Sequence, residues 1–141
     1  MITGVNIFET RDYISKYDLD KENPTIFEIG LMDSQMKGKI FDKVSDFELS
    51  SDNPDDDTKI NWRMNERNLS LVKFGVKNIK GLLDPQTKKP LDVKCDTINK
   101  FGKSYKVLPN SILDMIPLKI ITELAEQVLK ETGLPKEAEK N

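Results

Sequence analysis

Apolar positions along the chain change their period several times, and each change marks an element. Val5 to Phe8 is short and apolar and predicts a strand. Residues 10–24 are polar, but Tyr13, Ile14, Tyr17 and Leu19 fall among Asp12, Asp18 and Asp20, which predicts ordered surface broken at Asn23-Pro24. Thr25 to Ile29 has the strand pattern and Gly30 closes it. Met32, Met36, Ile40 and Val44 then recur every fourth residue with Phe41 beside them, one face of a helix capped by Asp33 or Ser34. Gly38 weakens that helix by ~1 kcal/mol against Ala, which predicts a close packing contact there. Phe47 to Leu49 reads as a short strand.

Every residue from Ser50 to Asp57 is polar or a breaker, so this is a loop. Residues 58–74 return to helical spacing through Ile60, Met64, Leu71, Val72 and Phe74, with Gly75 placed as a terminating glycine. Val76 to Leu83 and Leu91 to Cys95 read as strands around the turn sequence from Asp84 to Pro90. A second hairpin follows, Ile98 to Phe101 and Ser104 to Val107, turning at Gly102 and Lys103. Asn110 or Ser111 is placed to cap a short helix through Met115, and Pro117 suits the first turn of another. Ile121, Leu124, Ala125, Val128 and Leu129 form its amphipathic stripe, which Gly133 and Pro135 end. The predicted fold is α+β, a small antiparallel sheet of N-terminal strands and central hairpins with about three to four helices. Residues 1–135 form one domain and 136–141 a charged, frayed tail.

Composition narrows the chemistry. The 141 residues suit a single compact domain. There is no histidine, which removes imidazole bases, Ser-His-Asp or Cys-His machinery and His-containing zinc sites. Cys95 is the single cysteine and reads as a structural residue in a strand, flanked by Lys94 and Asp96. The acidic run at 50–57 lacks the spaced oxygens, central Gly and distal Glu of a calcium loop. The seven glycines are too scattered for a phosphate cradle. No spacing singles out a carboxylate pair. The expectation is a chain with no enzymatic activity, cofactor or metal. No run approaches the ~20 apolar residues of a membrane span, and the N-terminus lacks the pattern of a secretory signal.

Charge is unevenly placed. The formal net charge is −2, but residues 1–62 carry −7, residues 63–106 carry +7 and residues 107–141 carry −2. Such segregation either pairs parts of one fold or presents a basic face to an acidic partner. Arg63, Arg67, Lys88, Lys89 and Lys103 are the basic surface positions expected to contact a partner. Phe101 and Tyr105 within that span, and Trp62 just before it, offer stacking for nucleic acid, but the acidic chain, of pI near 5.3, disfavours it. The stripe at 121–129 either packs on the protein's own sheet or docks a partner or a second copy.

Several segments are informative together: Arg11 to Asp18, Thr25 to Gly30, Leu31 to Ser34 with the lysine-rich helix after it, Asn65 to Gly75, Asn78 to Pro90, and Ile116-Pro117 with its helix and Lys-Asn ending. Together they resemble a family of small proteins encoded in tailed phages and prophages. Two departures from the family pattern stand out. Lys88-Lys89 replaces the usual Gly-Lys of the turn, and Ile79 stands where an aromatic residue is common. The resemblance implies a role in virion morphogenesis similar to tail assembly chaperones, which hold a tail or tape-measure protein until the tail polymerises. A minor virion component at the tail or head–tail junction is the alternative, and a nucleic-acid-associated accessory protein is the alternative of another class. The implied location is the host bacterial cytoplasm during assembly, or the virion itself.

Overall fold

The computed structural model describes residues 1–4, 9–41 and 56–132, the stretch 56–63 by its backbone alone. The expected strands at Val5–Phe8 and Phe47–Leu49, most of the 50–57 loop, the stop at Gly133 and Pro135 and the charged tail lie outside the described residues.

The fold is α+β, as the patterning predicts, with its strands divided between two antiparallel sheets. The first has the order β1-β2-β3, from Thr10–Ile14, Ile26–Gly30 and Val76–Lys80. The second is the hairpin of β4, Asp96–Lys100, and β5, Lys103–Val107. The helices are α1 over residues 34–41, α2 at Asp56–Gly75, α3 at Asn110–Leu113 and α4 at Leu118–Glu131.

β1 lies inside the segment whose polarity predicted only ordered surface. Its residues are nearly all exposed because it is an edge strand, and it takes its register from β2, with Tyr13 opposite Phe27. The loop after it is ordered by its own carboxylates. Asp18 Oδ2 accepts from Thr25 N at 2.7 Å, and Asp20 Oδ1 accepts from Glu22 N and Asn23 N.

β2 is the apolar centre of the first sheet, with Phe27 and Ile29 buried. The capping reading of α1 holds: Asp33 Oδ1 accepts from Met36 N at 2.9 Å, and Met32, Met36 and Ile40 are buried. Gly38 is different from expectation. Among the described residues, a side chain there would meet nothing within 4 Å, so no close contact with them requires the glycine.

α2 begins at Asp56, before the predicted start, and passes into β3 without a loop. Gly75 belongs to the helix and is not in a left-handed conformation. A Cβ there would lie 2.6 Å from both Val128 methyl groups, so the glycine is needed for the close approach of α4. The predicted strand Leu91–Cys95 is irregular instead, and Cys95 stands just before β4. The preceding turn is held by Asp84, whose Oδ1 accepts from Gln86 N and Thr87 N, and by one bridge between Leu83 and Pro90.

Pro109, not Asn110 or Ser111, occupies the N-cap of α3, which ends at Leu113. Asn110 instead accepts from Lys73 Nζ at 3.2 Å. Pro117 stands at the N-cap of α4, one position before the first turn, and its carbonyl accepts from Ile120 N and Ile121 N. The predicted stripe of α4 is buried at Ile121, Leu124, Ala125 and Val128, against α2 and β2. One apolar cluster joins these residues to Leu71, Val72, Val76, Val107 and Leu108, so both sheets share a core.

Candidate functional site

A cavity of about 540 Å³ opens between the hairpin, the start of β3 and the segment after β2. The hairpin turn positions one wall. Phe101 and Gly102 both have positive φ, +55° and +71°, the two-residue turn that suits the twist of paired strands. Alternation along β5 then buries Tyr105 and Val107 and leaves Ser104 and Lys106 exposed.

The second wall depends on an irregularity in the first sheet. Glu28 pairs with Asn78 but Ile29 pairs with Val76, so Lys77 is an extra residue on β3. Such a bulge redirects a side chain. Lys77 crosses Gly30, where a Cβ would lie 2.9 Å from its Cγ. Its Nζ donates to the Phe74 carbonyl at 2.6 Å, near the C-terminal end of α2, and to the Lys106 carbonyl at 3.4 Å. Burial lowers its pKa, an effect that Cys95 and Asp33 partly oppose.

The floor is apolar and aromatic. Phe74 and Tyr105 meet edge to face at 6.0 Å, with Leu31 and Met32 beside them. The buried Tyr105 hydroxyl faces the Asp33 carboxylate without forming a bond of standard geometry. Burial and that carboxylate push the phenol up to about 12. Burial alone would raise Asp33, but Tyr105, the Met36 and Gln35 amides and Lys103 together hold it below the usual carboxylate range. Lys103 Nζ lies 3.8 Å from Asp33 Oδ2. Asp33 therefore caps α1 and faces β5 at once. The cavity presents three lysines, Lys77, Lys103 and Lys106, against one carboxylate over an apolar floor. Its chemistry suits a ligand that is both acidic and apolar.

Of the four singled-out basic positions whose side chains are described, only Lys103 lines this cavity. Lys88 and Lys89 are exposed on the 84–90 turn. Arg67 Nη2 donates to Asn68 Oδ1 at 3.1 Å and its guanidinium lies over Phe41. Arg63 lies in the part of α2 described by its backbone alone. Tyr105 cannot stack on a base because it is buried, while Phe101 is 46% exposed at the hairpin tip. Lys77 escaped sequence reading because nothing in Val76 to Lys80 announces a bulge. Lys106 was not among the positions singled out either.

Glu123 was also missed. It is a carboxylate only 8% exposed at the margin of the α4 stripe. It accepts from Tyr13 Oη at 2.7 Å, Ser15 Oγ at 2.5 Å and Lys16 N at 2.8 Å. Burial alone would raise its pKa, but these donors and the Lys16 charge hold it below the ordinary range. The same contact and its own burial push the Tyr13 phenol up to about 12.

Among the described residues, no helix is long and apolar enough to cross a membrane. No group of three or more His, Cys, Asp or Glu side chains among them is placed to hold a metal ion. No family model, curated protein or solved structure matches the chain.

Proposed function

We propose that the protein is a non-enzymatic binding protein of phage or prophage virion assembly, which holds a tail or tape-measure protein in the manner of a tail assembly chaperone. The observation that carries a binding role is Phe101. It is a bulky aromatic residue at φ +55°, a conformation that side chains of its size avoid, and it is exposed at a hairpin tip between Lys100 and Lys103. Asn-Gly would make the same turn with less strain. An exposed aromatic kept at such a position, flanked by lysines and beside an apolar cavity, has the composition of an interface anchor. The resemblance of the chain to small phage proteins supplies the assembly context.

Co-expression with the tail proteins of the same genome, followed by pull-down, tests this reading. Capture of one of them by the wild-type protein and its loss with Phe101→Asn are expected. Capture that is indifferent to Phe101 removes the anchor. Mass spectrometry of purified particles separates the two assembly roles, since stoichiometric presence in mature virions identifies a structural component instead of a chaperone.

A further inference from the structure

Among the described residues the hairpin sheet has two strands, so each has one edge without a neighbouring strand there. Lys100 pairs with Lys103 across the two-residue turn, and Asn99 with Ser104, Ile98 with Tyr105 and Thr97 with Lys106 follow. In such a hairpin the residues flanking the turn exchange backbone hydrogen bonds, and bonded and non-bonded pairs alternate from there. Lys103, Tyr105 and Val107 therefore bond to β4, while the backbone groups of Ser104 and Lys106 point out of the opposite edge. Two contacts agree with this direction. The Lys106 carbonyl accepts from Lys77 Nζ, and the Leu108 N–H donates to the Lys73 carbonyl at 3.1 Å. Among the described residues, nothing bonds the Ser104 N–H, the Ser104 carbonyl or the Lys106 N–H. This edge borders the cavity.

We propose that the open edge of β5 takes up an extended, acidic segment of a partner protein as an added strand, bonded to Ser104 and Lys106 along the main chain. The proposal rests on the binding role given above and specifies how the partner is held. Successive side chains of an added strand face opposite ways. On the core side they would meet Phe74 and Met32, and on the other side Lys106, so the fitting segment alternates apolar and acidic residues. The ladder is short, about three or four residues, because Lys77 already occupies the Lys106 carbonyl. Charge favours this occupant over a second copy of the chain. Self-pairing along β5 would crowd Lys103 and Lys106 of both copies into one short ladder, and that concentration of like charge is unfavourable.

The test uses the full chain and a fluorescein-labelled octapeptide of alternating aspartate and valine, followed by fluorescence anisotropy at low ionic strength. Saturable binding is expected. It should weaken about tenfold or more in the Lys103→Glu, Lys106→Glu double variant, and equally for a peptide N-methylated at every residue, which keeps its charge but loses the main-chain donors of both edges. Ser104→Pro should act likewise on a folded protein, since that N–H points away from β4. Absence of binding overturns the proposal, and so does an N-methylated peptide that binds as tightly as the parent. A dimer seen by sedimentation and abolished by Ser104→Pro overturns it in favour of self-pairing. A tail protein that is still captured by the folded Ser104→Pro variant overturns strand addition while leaving the binding role in place.

Discussion

Lys88 and Phe101 are the two non-glycine residues with positive φ among the described residues, at +58° and +55°. Each holds a strain of about 1–3 kcal/mol that glycine or asparagine would relieve in part. Lys88→Gly is expected to raise stability by about 0.5–1 kcal/mol, read from urea unfolding midpoints. Phe101→Asn is expected to stabilise by a similar amount, since Asn-Gly suits the hairpin turn. The two variants should differ in function. Lys88→Gly leaves the hairpin tip unchanged, whereas Phe101→Asn removes the exposed ring and, on the proposed role, partner capture with it.

At the scale of elements, two contacts hold α4 in place. Gly75→Ala would drive a Cβ to within 2.6 Å of the Val128 methyls, and a β-branched side chain in a helix cannot rotate aside. A loss of about 1–3 kcal/mol is expected, and Val128→Ala in the same background should restore part of it, a coupling that a double-mutant cycle measures. The other contact is Glu123, which joins α4 to Tyr13 and Ser15. Glu123→Gln is expected to cost about 1–3 kcal/mol, because the buried donors lose a charged acceptor. The pH dependence has a definite sign. The folded carboxyl has a lowered pKa, so its contribution is fully present above the unfolded value of about 4.3 and is lost as pH falls through the folded value. Wild type and Glu123→Gln should therefore converge in stability below that range, as parallel acid melts would show. The elements themselves were largely legible in the sequence. The α4 stripe, the Asp33 cap and the second hairpin depend on local spacing, which sequence displays, although the hairpin turns at Phe101-Gly102, one residue before the expected Gly102-Lys103. β1, the bulge at Lys77 and the clip at Glu123 depend on partners far along the chain, which it does not.

Across the whole molecule, the segregated charge meets itself in part. Lys80 pairs with Glu28 at 3.0 Å and Lys103 with Asp33 at 3.8 Å, both joining the basic span to the acidic first half. Exposed pairs of this kind contribute little to stability. Meanwhile Lys88, Lys89, Lys94, Lys100 and Lys106 remain exposed on the turn and hairpin. Reversing Lys88, Lys89 and Lys103 to Glu should leave the unfolding midpoint nearly unchanged while weakening association with an acidic partner, more strongly at low salt. An equal loss of fold stability would show that these charges serve intramolecular pairing instead. The candidate site was legible only as basic character around Lys103. Its apolar floor and the placement of Asp33, Lys77 and Tyr105 around one cavity come from packing of the two sheets on a common core.

The Glu123 clip has a further consequence during synthesis. Ser15 and Tyr13 find their acceptor 108 and 110 residues later in the chain, and β2 and α2 find their apolar cover in the same helix. Translation delivers the N-terminal strands first, so a nascent chain displays β1, β2 and the face of α2 uncovered until α4 leaves the ribosome. Closure of the domain is thus tied to the emergence of α4. Ribosomes stalled before α4 emerges would carry chains open to proteases and chaperones of the cell.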